Sequence, residues 1–153
     1  MQSYEVTNNK KFMAALLKGD VFDTFEVKEI MCHTKFKFVL DGMRNVEFYE
    51  NIPDTDTSEL SKYLTWKEVQ HHIYELIQGK VLPTYLKIVF LTNEEKTRQI
   101  SEEVSSFHLT ITFKDNKTTC TTGTAYKGFS MDKTPEQTWD NKMQHFLISQ
   151  EFI

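Results

Sequence analysis

The chain has 153 residues, of which 39% are hydrophobic and 26% charged, and its formal net charge is −4. Such a length suits a single domain, 1–153, which buries roughly 70% of its unfolded surface and holds a core without metal or disulfide staples. The acidic balance argues against a general nucleic-acid binder, whose affinity rests on clustered Lys and Arg, and no apolar run approaches the roughly 20 residues that cross a bilayer.

The N-terminal MQSYEVTNNKKF has no apolar stretch of the kind a secretory leader carries, so a cytoplasmic protein is expected. Cys32 and Cys120 stand far apart with no CxxC spacing, which predicts buried free thiols rather than a disulfide.

Residues 3–6 make a short strand. Asn8 or Asn9 then caps a helix whose apolar stripe is Phe12, Met13, Leu16 and Leu17, and Gly19 ends it. Phe25, Val27 and Met31 alternate with polar neighbours, and Phe36, Phe38 and Leu40 repeat the pattern. Asp41-Gly42 is a favoured hairpin turn, which makes a third strand of Val46 and Phe48. The acidic segment 50–61 reads as a surface loop.

Thr65-Trp66-Lys67-Glu68 has the spacing of a capping box. It opens a helix with Trp66, Val69, Ile73, Leu76 and Ile77 on one face and Gly79 at its end. Residues 85–91 are nearly all apolar, as in a central strand, and 93–104 suggests a short exposed helix.

Phe107, Leu109, Ile111 and Phe113 then alternate with His108, Thr110 and Thr112. Asp115-Asn116 turns this strand into 118–124, and a further strand runs through Phe129. Thr134-Pro135 with Gln137 starts the last helix, Thr as cap and Pro at the first position. Its buried face is Trp139, Met143, Phe146 and Leu147.

The elements define an α+β fold, a mostly antiparallel sheet with three to four helices. Their order suggests two β-α-β-β-β units, the plan of a sliding DNA clamp. The helix near 94–103 has Glu94, Glu95, Glu102 and Glu103 against Lys96 and Arg98, which is poorly suited to line DNA.

No metal site can be assembled from spacing. His71 and His72 are adjacent on a helix and diverge by about 100°, and Cys32-His33 points to opposite faces of a strand. Segment 50–59 lacks the Gly and spacing of a calcium loop, and no phosphate-binding or nucleophile-elbow motif occurs. No cofactor is implied.

A two-residue loop at Asp115-Asn116 sets a register that can be written down. Phe113 pairs with Thr118, Ile111 with Cys120 and Leu109 with Thr122, so Cys120 faces the core as an inert thiol. The other side of the hairpin brings Thr110 and Thr112 opposite Thr121 and Thr119, with His108 facing Gly123. This hydroxyl-rich face is the candidate binding site, set against the plainer reading of a wet strand face of β-formers. Thr118, Thr122 and Thr124 fall on the supposed core side and sit badly there, unless Gly123 marks a bulge.

The stretches KKFMAALLKGDVFDTFEV and TCTTGTAYKGFSMDKTPEQTWD, with Asp41-Gly42 between them, resemble a family of small bacterial proteins known only as a domain of unknown function. The resemblance implies a bacterial cytoplasmic origin and carries no activity, cofactor or catalytic residue. The leading expectation is a non-catalytic module that binds a protein or a small molecule. The alternatives are an enzyme using the threonine face with His108 as acid/base, and a clamp-like nucleic-acid accessory protein.

Overall fold

A computed structural model describes residues 1–153. Six strands form one antiparallel sheet: β1 (Ser3–Glu5), β2 (Glu26–His33), β3 (Lys37–Asp41), β4 (Tyr85–Leu91), β5 (Val104–Lys114) and β6 (Lys117–Tyr126). Their spatial order is β1-β6-β5-β4-β2-β3. The helices are α1 (Asn9–Lys18), α2 (Val46–Glu50), α3 (Trp66–Ile77), α4 (Glu94–Ile100) and α5 (Thr134–Ser149).

The caps follow local chemistry. Asn8 accepts from the Lys11 amide at the start of α1, and the Glu68 carboxylate accepts from the Thr65 amide at 2.8 Å at the start of α3. The α5 cap lies one residue earlier than the sequence suggests. Lys133 is the cap position, and Asp132 rather than Thr134 supplies the acceptor, taking the Thr134 amide at 2.9 Å. Trp66 and Gln70 of α3 donate to the Leu16 carbonyl and so close the end of α1.

One face of the sheet carries the core. Ile30, Leu86, Ile88, Phe90, Leu109 and Ile111 are buried there against Phe12 and Leu16 of α1, Trp66 and Ile73 of α3, and Trp139 and Leu147 of α5. Phe22 ties the layers together, with ring contacts to Phe12, Phe90, Phe146 and Phe152. The stripe of α3 is narrower than expected, since Leu76 is exposed. α1, α3 and α5 all pack on this face.

Two expected strands do not form, so the halves read β-α-β-β-α and not β-α-β-β-β. Val46 and Phe48 lie in α2, and Phe129 lies beyond β6 in an exposed loop. The first half is also split in space, β1 pairing with β6 at one edge while β2 and β3 lie at the other. A two-unit clamp plan is therefore not built.

Gly42 accounts for the first of these differences. The hairpin between β2 and β3 turns at 34–36, and Asp41-Gly42 is where the chain leaves the sheet. A Cβ on Gly42 would stand 1.7 Å from the Val27 carbonyl oxygen, so only glycine permits the close approach. From there the chain makes a strap, 42–65, whose return arm is threaded into the backbone of its own start. Leu64 donates to Gly42, Arg44 to Lys62, and Val27 to Leu64.

Arg44 locks the strap. Its side chain is 3% exposed and forms a bidentate pair with Glu68 at 2.8 and 2.9 Å, with further bonds to Tyr49, the Ser61 carbonyl and the Ser61 hydroxyl. The guanidinium holds the Glu68 carboxyl down at about 2.

Candidate functional site

The β5–β6 hairpin has the register that its two-residue turn dictates. Asp115 and Asn116 both adopt positive φ, 52° and 60°, as a type I′ turn requires. Phe113 pairs with Thr118, Ile111 with Cys120 and Leu109 with Thr122. Thr110 pairs with Thr121, Thr112 with Thr119, and His108 with Gly123. All six candidate residues lie on the face opposite the helical core and are half-buried. Ser3 of β1 extends the hydroxyl field, its Oγ 3.2 Å from Thr121 Oγ1.

No bulge occurs at Gly123; the irregularity in this pair lies between Val104 and Ser106. Of the threonines on the core side, Thr122 has a different explanation. Thr122 donates to the Asp140 carboxylate of α5 at 2.5 Å, so a buried polar pair ties sheet to helix. The Thr118 and Thr124 hydroxyls are buried without a partner. Cys32 and Cys120 are free and buried, and burial pushes the Cys120 thiol up to about 12, which keeps it protonated and unreactive.

At its His108 end the threonine field runs into a cleft of about 490 Å³ between the sheet and the strap. Lys28, Lys62, Glu26, Glu94, Tyr63, Ser106 and His108 line it, two cations against two carboxylates, with Leu91 as apolar floor. The bulge in β2 between Val27 and Glu29 adds Lys28 to the open face, and cross-strand pairing sets Leu91 between Glu26 and His108. The Arg44 network holds Lys62 and Tyr63 over this spot. None of these strap or β2 residues is signalled by local sequence pattern, because the strap is brought there only by tertiary contacts.

The cleft perturbs its titratable groups in opposite senses. Burial lowers the affinity of the His108 imidazole for a proton, and the Lys28 ammonium lowers it further. Burial raises the Glu26 carboxyl, against the opposing pull of Arg44. Ser106 Oγ lies 2.9 Å from His108 Nε2. Gly123 leaves the imidazole uncrowded, since a Cβ there would make only ordinary contact with His108 Cβ at 3.5 Å.

Elsewhere, His71 and His72 are exposed on α3, and His71 pairs with Glu75 along the helix. A second groove of about 490 Å³ lies between α4 and α5, floored by Phe25, Trp139 and Phe146. It is a seam of the helical layer and carries none of the shifted titratable groups, so the open-face cleft is the better candidate. No helix is long and apolar enough to cross a membrane.

Residues 15–153 match the model of a family of unknown function, DUF5721. No curated protein and no solved structure matches.

Proposed function

The chain belongs to the DUF5721 family, and we propose that it is a non-catalytic binding module of a bacterial cytoplasm. Its ligand is a small polar molecule with an anionic group, held on the open face of the sheet. The observation that carries this reading is the convergence of Lys28 and Lys62 on a cleft beside His108, with no ion pair to either lysine. Ser106, Tyr63 and the neutral imidazole supply hydrogen bonds around an apolar floor, the usual make-up of a small-molecule site. The threonine field continues the polar surface away from the cleft.

Amide NMR on isotope-labelled protein tests this, using inorganic phosphate first and then a mixture of mononucleotides, sugar phosphates and carboxylic acids. Shifts should cluster at Lys62, Tyr63, Ser106 and His108 and vanish in the Lys28→Ala, Lys62→Ala protein. Shifts confined to the groove between α4 and α5 would sink the proposal. Thr110→Val with Thr121→Val should leave the fold intact, because Val suits a strand, and should weaken only those ligands that reach across the hydroxyl field.

The Ser106–His108 contact favours a second reading, an enzyme with His108 as general base. A lowered pKa keeps the imidazole neutral and able to accept a proton near neutral pH. No side chain bonds its other ring nitrogen to orient it. Turnover of any bound compound that stops in His108→Gln would establish the enzyme in place of the module.

A further inference from the structure

The sheet has a bare edge. β3 pairs with β2 on one side only, and no other segment covers its outer side. Thr34 donates to the Phe36 carbonyl and Gly42 to the Lys28 carbonyl, which sets the phase of the hydrogen bonds along this hairpin. Phe38 and Leu40 therefore bond inward to β2, while Lys37, Val39 and Asp41 direct their N–H and C=O groups outward. Exposed edges are commonly protected by proline, bulges or inward-pointing charge. β3 has none of these; it is five residues long and charged only at its two ends, Lys37 and Asp41, and Val39 at its centre is 61% exposed.

The edge is complementary to itself. Set antiparallel about a two-fold axis through Val39, two copies oppose Val39 to Val39, Phe38 to Leu40, and Lys37 to Asp41. The residues whose backbone groups point outward become the hydrogen-bonded pairs, so the phase and the axis agree. An ammonium meets a carboxylate at each end. Lys37 has no ion pair within the chain, and Asp41 uses one oxygen to accept from the Met43 amide. Phe36 and Met43, each 50% exposed, flank the strand and add apolar surface.

We propose that two copies of this chain pair through β3 about Val39 and form a closed dimer with one continuous sheet. The pairing is isologous, so it satisfies both edges at once and stops at two copies. Both open faces then lie on the same side, and the two clefts face the same solvent.

Sedimentation equilibrium and light scattering test this on the full chain. The wild type should show twice the chain mass. Val39→Pro removes only an outward-facing donor, and Lys37→Glu sets like charges against Asp41; each should give a monomer with an unchanged far-ultraviolet spectrum. Lys37→Asp combined with Asp41→Lys should restore the dimer. If Val39→Pro does not fold, the exposed Lys37→Glu and the charge swap still decide. A wild type that stays monomeric to its highest soluble concentration would overturn the proposal. So would a dimer that persists unchanged in Lys37→Glu and resists Val39→Pro.

Discussion

The indole Nε1 of Trp139 donates to the backbone carbonyl of His108 at 2.8 Å. A core residue of α5 thus holds from behind the strand residue whose imidazole borders the open-face cleft. Trp139 also packs against Phe107, ring centroids 5.3 Å apart, and against Phe25. Helical layer and candidate site are joined through one backbone group.

Trp139→Ala should destabilise the protein by about 3–5 kcal/mol, the range for truncating a buried aromatic. Trp139→Phe, which keeps much of the packing and loses the hydrogen bond, should cost about 1–3 kcal/mol. It should also shift the NMR signals of the His108 ring. His71→Ala, on an exposed face, should stay within about 0.5 kcal/mol. Urea midpoints that rank His71 above Trp139 would contradict the assigned helix faces.

Two glycines should behave in opposite ways. Gly42→Ala forces a methyl into the Val27 carbonyl at 1.7 Å, against backbone that cannot yield without opening the strap. Gly123→Ala meets only His108 Cβ at 3.5 Å, an ordinary contact. Thermal melts should show Gly42→Ala severely destabilised or unfolded and Gly123→Ala near wild type. Equal melting temperatures would mean that the strap does not seat as described.

Acid should weaken the fold through Glu68. Its carboxyl is held at about 2 in the folded chain against an ordinary value of 4.5, so its stabilisation is complete above the ordinary value and is lost as pH falls through about 2. His108, with its proton affinity lowered, acts in the same direction, because the unfolded chain takes up that proton more readily. Glu68→Gln leaves the buried Arg44 guanidinium without its counter-charge; because the Glu68 side chain is 39% exposed and water screens the pair, the cost at neutral pH should be about 1–3 kcal/mol. The variant should also lose stability less steeply between pH 5 and 2. Parallel pH profiles for the two proteins would remove Glu68 as the acid-sensitive group.

The hairpin of β5 and β6 was legible from residues alone because its register depends on local chemistry. A two-residue turn that tolerates positive φ at Asp115 and Asn116 leaves one alignment, and strict alternation then assigns His108, Thr110, Thr112, Thr119, Thr121 and Gly123 to one face. The capping box at Thr65, the buried faces of α1 and α5 and the inert position of Cys120 were readable for the same reason. Each is decided within a few residues of itself.

Tertiary structure decided the rest. Asp41-Gly42 has the composition of a hairpin turn, yet its glycine is required by a carbonyl fifteen residues earlier, at Val27, which no local pattern records. Arg44 and Glu68 are 24 positions apart, so neither reads as half of a buried pair until the strap is folded. Thr122 looked misplaced on the core side because its partner Asp140 comes from a different element. Lys28, Lys62 and His108 converge for the same reason: short-range propensity shapes each segment, while long-range packing chooses which segments share a cleft.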